Sequence, residues 1–431
     1  MKRLTATILG IALTTGCAFC QTPVWGLDSC MDYALTHSSS ILLQRCAQRA
    51  SQASLEQSRM ELLPTLNIYV NQYYNWGRSV DMQELVIVRN RLTLQTSGSI
   101  GAQFLIFDGF TRLSAIARDK YLADAAAGDV RQAMLEAKAG ITAAYLGNIL
   151  ARLSEARLLE SLKLIDDQAE RVSAQIKCGA RDRSDLLEIE ARKADIISQI
   201  AAARSEEAIR MEELRSLMGC TESFCTDTCL KAISEIRDNP GESALRLEPP
   251  SISALQSRLN AAECALKAAK GALMPTLSVS AAYGTYYSDA SPDKFGEQID
   301  GNRNPSISLS MVIPLLNSGK TAGAIAGAKA EVESSRIRLQ QAREQAALYQ
   351  ERLSSECISL LGQMDAARAR CHFCKERLRE ATQRHEAGAL TTSDWLEATR
   401  EASQADCDFV QCLCKYLFQL KLIEYYRDGC R

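Results

Sequence analysis

Leu158, Leu162, Ile165, Ala169, Val172 and Ile176 step by four and three in alternation, which is the seam of a coiled coil. Leu353, Cys357, Leu360, Met364, Ala367, Cys371, Cys374, Leu378 and Ala381 follow the same rule, as do Phe409, Leu413, Tyr416, Leu420 and Ile423. No proline interrupts 65–239 or 315–431, so both stretches can hold very long helices. The pattern predicts helices over 109–177 and 319–387, each roughly 100 Å long at 1.5 Å rise. It also predicts entering helices over 27–62 and 251–272 and returning helices over 184–218 and 393–427. Elsewhere the period drops to two. Leu66, Ile68 and Val70 alternate with Asn67, Tyr69 and Asn71, and Leu92 and Leu94 lead into Ile100, Ala102, Phe104 and Ile106. Leu277, Val279, Ala281 and Tyr283 follow, then Ile307, Leu309, Met311 and Ile313 against Ser306, Ser308 and Ser310. Strands over 66–74, 98–107, 277–286 and 306–314, apolar on one face and small or polar on the other, read as transmembrane β-strands. A half-buried soluble sheet alternates in the same way, but four strands beside such helices would leave its edges unsatisfied. The fold class is therefore mainly α with a transmembrane β part.

The elements come twice. Leu63-Pro64-Thr65-Leu66 is answered by Met274-Pro275-Thr276-Leu277, and Gly109 by Gly319. Gly179 followed by Ser184-Asp185-Leu186-Leu187-Glu188 is answered by Gly388 followed by Ser393-Asp394-Trp395-Leu396-Glu397. One order at nearly one offset, about 210 residues, marks a duplicated unit rather than a solenoid of small repeats. The first repeat takes 21–218 and the second 251–431. Residues 219–250, with Cys220, Cys225, Cys229, Pro240, Pro249 and Pro250, join them; any pairing among those cysteines stays open. In each repeat the entering and leaving helices, laid end to end, match the long helix in length.

Composition sharpens this picture. Lys+Arg 50 against Asp+Glu 52 produces no field that would gather nucleic acid, so none is expected as a partner. Met1-Lys2-Arg3, the uncharged run Leu4 to Cys20 and Ala18-Phe19-Cys20 before Gln21 predict a signal peptide over 1–20 and an exported mature chain. Lipidation at Cys17 is the rival, with Thr14 standing where a lipobox wants Leu. After residue 21 no run of 18 apolar residues remains for a transmembrane helix. Sixteen Cys are too sparse in such a chain for a disulfide scaffold. Cys371-His372-Phe373-Cys374 has the form of a redox pair or half a zinc site, yet both cysteines lie on the seam, where a free thiol packs as a small hydrophobe. Asn317-Ser318-Gly319-Lys320-Thr321 ends like a phosphate loop, but Pro314 occupies the position that requires Gly. Gly319, Gly323 and Gly327 instead allow a neighbouring helix to come close. With three His and no nucleophile motif there is no constellation for catalysis, and no cofactor or metal is expected.

Taken together, Trp25-Gly26-Leu27-Asp28 opening the first helix, Leu63-Pro64, Phe107-Asp108-Gly109-Phe110 and the paired Gly179/Ser184-Asp185 and Gly388/Ser393-Asp394 turns resemble the TolC-type outer membrane efflux proteins. The resemblance covers essentially the whole mature chain. It departs at Leu316-Asn317-Ser318-Gly319, which stands where the first repeat has Phe107-Asp108-Gly109, and in its many cysteines. It implies a homotrimer in the cell outer membrane, contacting its lipid with one shared twelve-stranded barrel and reaching into the periplasm with an α-helical tunnel. It further implies a passive exit duct for efflux or type I secretion, engaged at its tip by a periplasmic adaptor and an inner-membrane pump.

The tip turns are the candidate site. Ser184-Asp185 and Ser393-Asp394 read as a capping residue followed by an acid at the positive end of a helix. Asp185 with Glu188, and Asp394 with Glu397, are three apart and share a helix face. The bland reading is two capped hairpins. The resemblance makes this end the closed aperture, with Asp394 and Glu397 as the leading gate residues and Arg181 a cation to pair with them. The rival function is a periplasmic coiled-coil scaffold or adaptor whose strands form a small soluble sheet.

Overall fold

The computed structural model describes residues 23–80, 87–179, 181–222, 224–227 and 249–429. The signal peptide, Cys17, Cys229, Pro240 and most of the inter-repeat segment lie outside the described residues. In chain order the elements are β1 (Val24–Trp25), α1 (Leu27–His37), α2 (Ser39–Met60), β2 (Thr65–Val80), β3 (Ile87–Phe107), α3 (Thr111–Lys177) and α4 (Arg183–Met218). There follow β4 (Cys225–Thr226), α5 (Pro250–Gly271), β5 (Thr276–Ser288), α6 (Phe295–Gly301), β6 (Asn304–Val312), α7 (Lys320–Glu386) and α8 (Thr392–Gly429). The chain divides into two compact units, one of residues up to His37, Gly140–Asn239 and Gln363–Phe418, the other of Ser38–Ala139, Pro240–Gly362 and Gln419–Arg431.

The second unit holds the sheet, antiparallel throughout in the order β2-β3-β5-β6. Register carries one apolar row across it: Ile68 lies opposite Ile100, Ile100 opposite Tyr283, and Tyr283 opposite Pro305. Ile68, Ile307 and Leu309 on this face stay largely exposed. On the other face Asn67 meets Gly101, and Ser280 bonds Ser308 hydroxyl to hydroxyl at 2.7 Å. β2 and β3 run well past 66–74 and 98–107, because the alternation through Tyr74, Trp76, Leu92 and Leu94 continues the ladder. Helix α6 was not expected. It folds the β5–β6 connection around Gln298, whose buried amide donates to the carbonyls of Ser288 and Asp293 and accepts the Ser288 N–H.

α3 and α7 are each 67 residues long. Their start points, Thr111 and Lys320, are 209 apart, and the left-handed residues before them are Gly109-Phe110 in one repeat and Ser318-Gly319 in the other. The expected match of Gly109 to Gly319 is thus off by one: Gly109 corresponds to Ser318 and Phe110 to Gly319. Asp108 accepts the Arg112 N–H at 3.0 Å, and its counterpart Asn317 bonds Thr321. The apparent departure at Leu316-Asn317-Ser318-Gly319 is the same turn with the glycine moved one residue along. The Gly319, Gly323 and Gly327 face meets no other element of the described chain, since nothing outside the helix would lie within 4 Å of a Cβ there. Close approach occurs instead at Gly109 against Gly271 and at Gly128 against Ala254.

In the first unit, Cys30 and Ala34 of α1, Ile141, Tyr145 and Ile149 of α3, and Leu214 and Met218 of α4 form one core with Cys220 and Phe224. The opening of the presumed link is therefore folded. Trp25 and Thr226 pair in a short parallel ladder, and Trp25 stacks on Phe224 at 4.8 Å. Thr226 donates to Asn148 Oδ1 at 2.7 Å and its carbonyl accepts from Arg152. Cys220 carries a free, buried thiol. The predicted entering helix 27–62 is two helices, interrupted at the extended Ser38.

The α7 seam is observed as read: Leu353, Cys357, Met364, Cys371 and Ala381 are buried, and Leu360, Ala367, Cys374 and Leu378 half-buried. On α8 the seam is shifted. Tyr416 is buried as expected, together with Trp395, Ala398, Ala402, Ala405, Cys414, Leu417 and Leu422, whereas Phe409, Leu413, Leu420 and Ile423 are only half-buried and Arg368 lies over the Phe409 ring. The N-terminal part of the buried row is built mainly from alanines, which the search for large apolar residues passed over. The Cys371 thiol donates to Asp406 Oδ1 at 3.1 Å, and burial and that carboxylate push the thiol up. Lys375 and Arg157 hold the same carboxylate at 2.8 and 3.2 Å, so Asp406 keeps its ion pairs without the thiol. No cluster of metal-ligating side chains occurs among the described residues. Replacing Cys371 and Cys374 by Val should leave a working, assembled protein with a loss of about 1 kcal/mol at each site, measured by thermal unfolding. Stoichiometric zinc in the purified wild type would overturn the packing role.

Candidate functional site

Both tip turns end a 67-residue helix with a glycine in the left-handed region, Gly179 at φ +73° and Gly388 at φ +71°. Each closes its helix with a backbone bond, Gly179 N–H to the Ile176 carbonyl and Gly388 N–H to that of His385. Any other residue there would incur about 1–2 kcal/mol of steric strain. The expected caps are each displaced by two residues. α4 starts at Arg183 with Asp182 in the cap position but no side-chain cap bond, so Ser184 lies in the first turn. α8 starts at Thr392, and it is Thr391 whose hydroxyl oxygen accepts the Asp394 N–H at 3.1 Å. Ser393 is likewise inside the helix. The Thr391 hydroxyl donates to the Asp394 carboxylate at 2.6 Å.

The four acids differ in their surroundings. Asp185, half-buried, lies 3.7 Å from Arg181. Glu397, exposed, accepts from Arg400 at 2.9 Å, and that guanidinium holds its carboxyl below the usual range. Asp394 and Glu188 are exposed, with no ion pair among the described residues. Arg181 does not pair with Asp394 or Glu397. It turns into the protein, donating to His385 Nε2 and to the Thr392 hydroxyl, both at 2.8 Å.

This exposes a cluster that sequence reasoning missed. His385 is almost wholly buried, with Gln168 2.9 Å from Nδ1, Trp395 stacked at 5.5 Å and Arg181 on Nε2. A guanidinium can only donate, so Nε2 is the acceptor and the ring proton sits on Nδ1, where the Gln168 amide can accept it only by turning its oxygen to the ring. Burial, then the Arg181 charge, hold the ring below the ordinary imidazole range, against the opposing pull of Asp185 and Glu386. The Trp395 indole N–H donates to Thr382 at 3.1 Å, and Arg171 pairs with Glu386. Around this centre Ile165, Val172, Ile189, Ile196, Ala381 and Ala398 form an apolar core drawn from α3, α4, α7 and α8. The available signal was register: His385 is four residues after Ala381, so it continues a seam that is otherwise apolar.

A model of the outer membrane efflux protein family matches residues 31–220 and 243–417. The chain belongs to that family. It is 25% identical over 330 residues to outer membrane efflux protein BepC of Brucella suis biovar 1, covering 74% of this chain and 69% of BepC. Its fold is similar to the CmeC outer membrane channel of Campylobacter jejuni, with TM-score 0.80 and 16% identity over 94% of this chain and 85% of CmeC. It is likewise similar to the outer membrane protein VceC of Vibrio cholerae, with TM-score 0.78 and 16% identity over 93% and 96% of the two chains. The scaffold or adaptor reading is not favoured.

Proposed function

We propose that three copies close one twelve-stranded barrel and that the assembly is a passive exit duct of a tripartite efflux or type I secretion system, opened at its periplasmic tip by an adaptor and an inner-membrane pump. The observation that carries this reading is the sheet itself: among the described residues its outer strands β2 and β6 have no neighbour on one side, while its apolar face is exposed. Four strands are too few to close a barrel, and a threefold assembly would remove every edge. Purified protein should run as heat-modifiable trimers that conduct ions across a planar bilayer. Monomers that remain soluble without detergent would overturn the reading.

The acids of the tip, Asp394 and Glu397 with Asp185 and Glu188, would be repeated into rings at the narrow end, and rings of carboxylates select cations. Arg400 offsets Glu397 and Arg181 offsets Asp185, so Asp394 should carry the larger share. Asp394→Ala with Glu397→Ala is expected to weaken cation selectivity and block by multivalent cations, and Asp394→Ala alone should account for most of the change. Unchanged reversal potential and block in an assembled double variant would leave these residues as helix-end acids only.

A further inference from the structure

We propose that His385 is a proton-operated latch: protonation of its ring at Nε2 breaks the Arg181–His385 contact and frees the α7–α8 turn from the α3–α4 turn. Its consequence for transport rests on the conduit reading above; the latch itself rests on the geometry of the tip.

Two side chains join the hairpins here, and the Arg181 contact needs a neutral ring. Arg181, two residues past the α3–α4 glycine, donates into Nε2 at 2.8 Å, and Gln168 of α3 meets Nδ1 at 2.9 Å. Adding the second proton puts an N–H where Arg181 already points one, and sets two cations against each other in a buried place. The charged groups facing the ring come from every element around it: Arg181 before α4, Asp185 on α4, Glu386 on α7 and Arg171 on α3. Both acids are already engaged, Asp185 by Arg181 and Glu386 by Arg171, so neither is free to compensate the imidazolium. α8 contributes only the Thr392 hydroxyl, 3.3 Å from Nε2, and the stacked Trp395.

The sign follows from linkage. The latched ring binds its proton less readily than an exposed imidazole, whose pKa is about 6.5. The unlatched state therefore binds more protons, and the latch weakens as pH falls through about 6.5, down to the lower pKa of the latched ring. Within that window the open-to-closed ratio rises up to about tenfold per pH unit in each chain.

The test uses full-length trimers carrying Trp25→Phe and Trp76→Phe, so that Trp395, fully buried against the ring, is the only indole. Emission and bilayer conductance are followed from pH 7.5 to 5.0, a range that keeps ordinary carboxylates ionised. We expect a red shift of Trp395 emission and a rise in conductance over one shared pH window, and a flat response in His385→Gln. Arg181→Gln, which removes the flanking cation and so narrows the difference between the latched and unlatched ring, should weaken the pH response. Flat emission and conductance in the starting protein, a response that survives His385→Gln, or an undiminished response in Arg181→Gln would each overturn the latch. Trimers that never conduct would overturn the conduit instead, and the emission titration would still decide the latch.

Discussion

Leu309→Arg is expected to abolish most membrane insertion, while Ser308→Arg one residue away leaves it largely intact. Leu309 lies opposite Val279, between Ile307 and Met311 on the apolar face, and is highly exposed in the single chain. An arginine facing lipid at the middle of a membrane strand costs about 2–4 kcal/mol per site, and a trimer would incur it in every chain. Ser308 is on the opposite face, bonded to Ser280, where the proposed barrel has its interior. The measurement is the amount of heat-modifiable trimer in the outer-membrane fraction. Wild-type amounts of inserted Leu309→Arg protein would count against a membrane barrel and for a soluble sheet.

A comparable loss should follow Gly109→Ala at the joint between β3 and α3. Gly109 has φ +68°, and an added Cβ would meet the Gly271 carbonyl oxygen at 2.3 Å and Met274 Cβ at 2.8 Å. The backbone of α5 cannot retreat without moving the sheet it leads into. Left-handed strain contributes about 1–2 kcal/mol, and forced overpacking typically about 1–3 kcal/mol. Gly271→Ala separates these, because its Cβ would come within 2.4 Å of the Gly109 carbonyl without a positive φ of its own. Thermal unfolding should therefore rank wild type above Gly271→Ala above Gly109→Ala. The counterpart Ser318 already bears a side chain at φ +55°, so Ser318→Gly should raise stability. A Gly109→Ala protein as stable as wild type would remove the case for a close backbone joint.

The sequence by itself determined the parts whose causes are local. Helix seams repeat every three or four residues, strand faces every two, and proline and glycine stop helices by backbone sterics, so element lengths and the duplication were legible before any contact was known. The expected 109–177 and 319–387 are observed as Thr111–Lys177 and Lys320–Glu386 for that reason. Only the tertiary structure decided what depends on partners far along the chain. The Trp25–Thr226 ladder joins residues about two hundred positions apart, and each of its strands is too short to carry a periodic signal. The N-terminal part of the α8 seam is built mainly from alanines, which a search for large apolar residues passes over. Arg181 was read as a partner for Asp394 and Glu397, but its fork reaches His385 and Thr392 because a buried ring nitrogen needs a donor more than an exposed carboxylate does. His385, Gln168 and Arg181 lie up to 217 residues apart and meet only when the two helical hairpins pack. A lone histidine in an apolar seam acquires a function only from what that packing places against its two nitrogens.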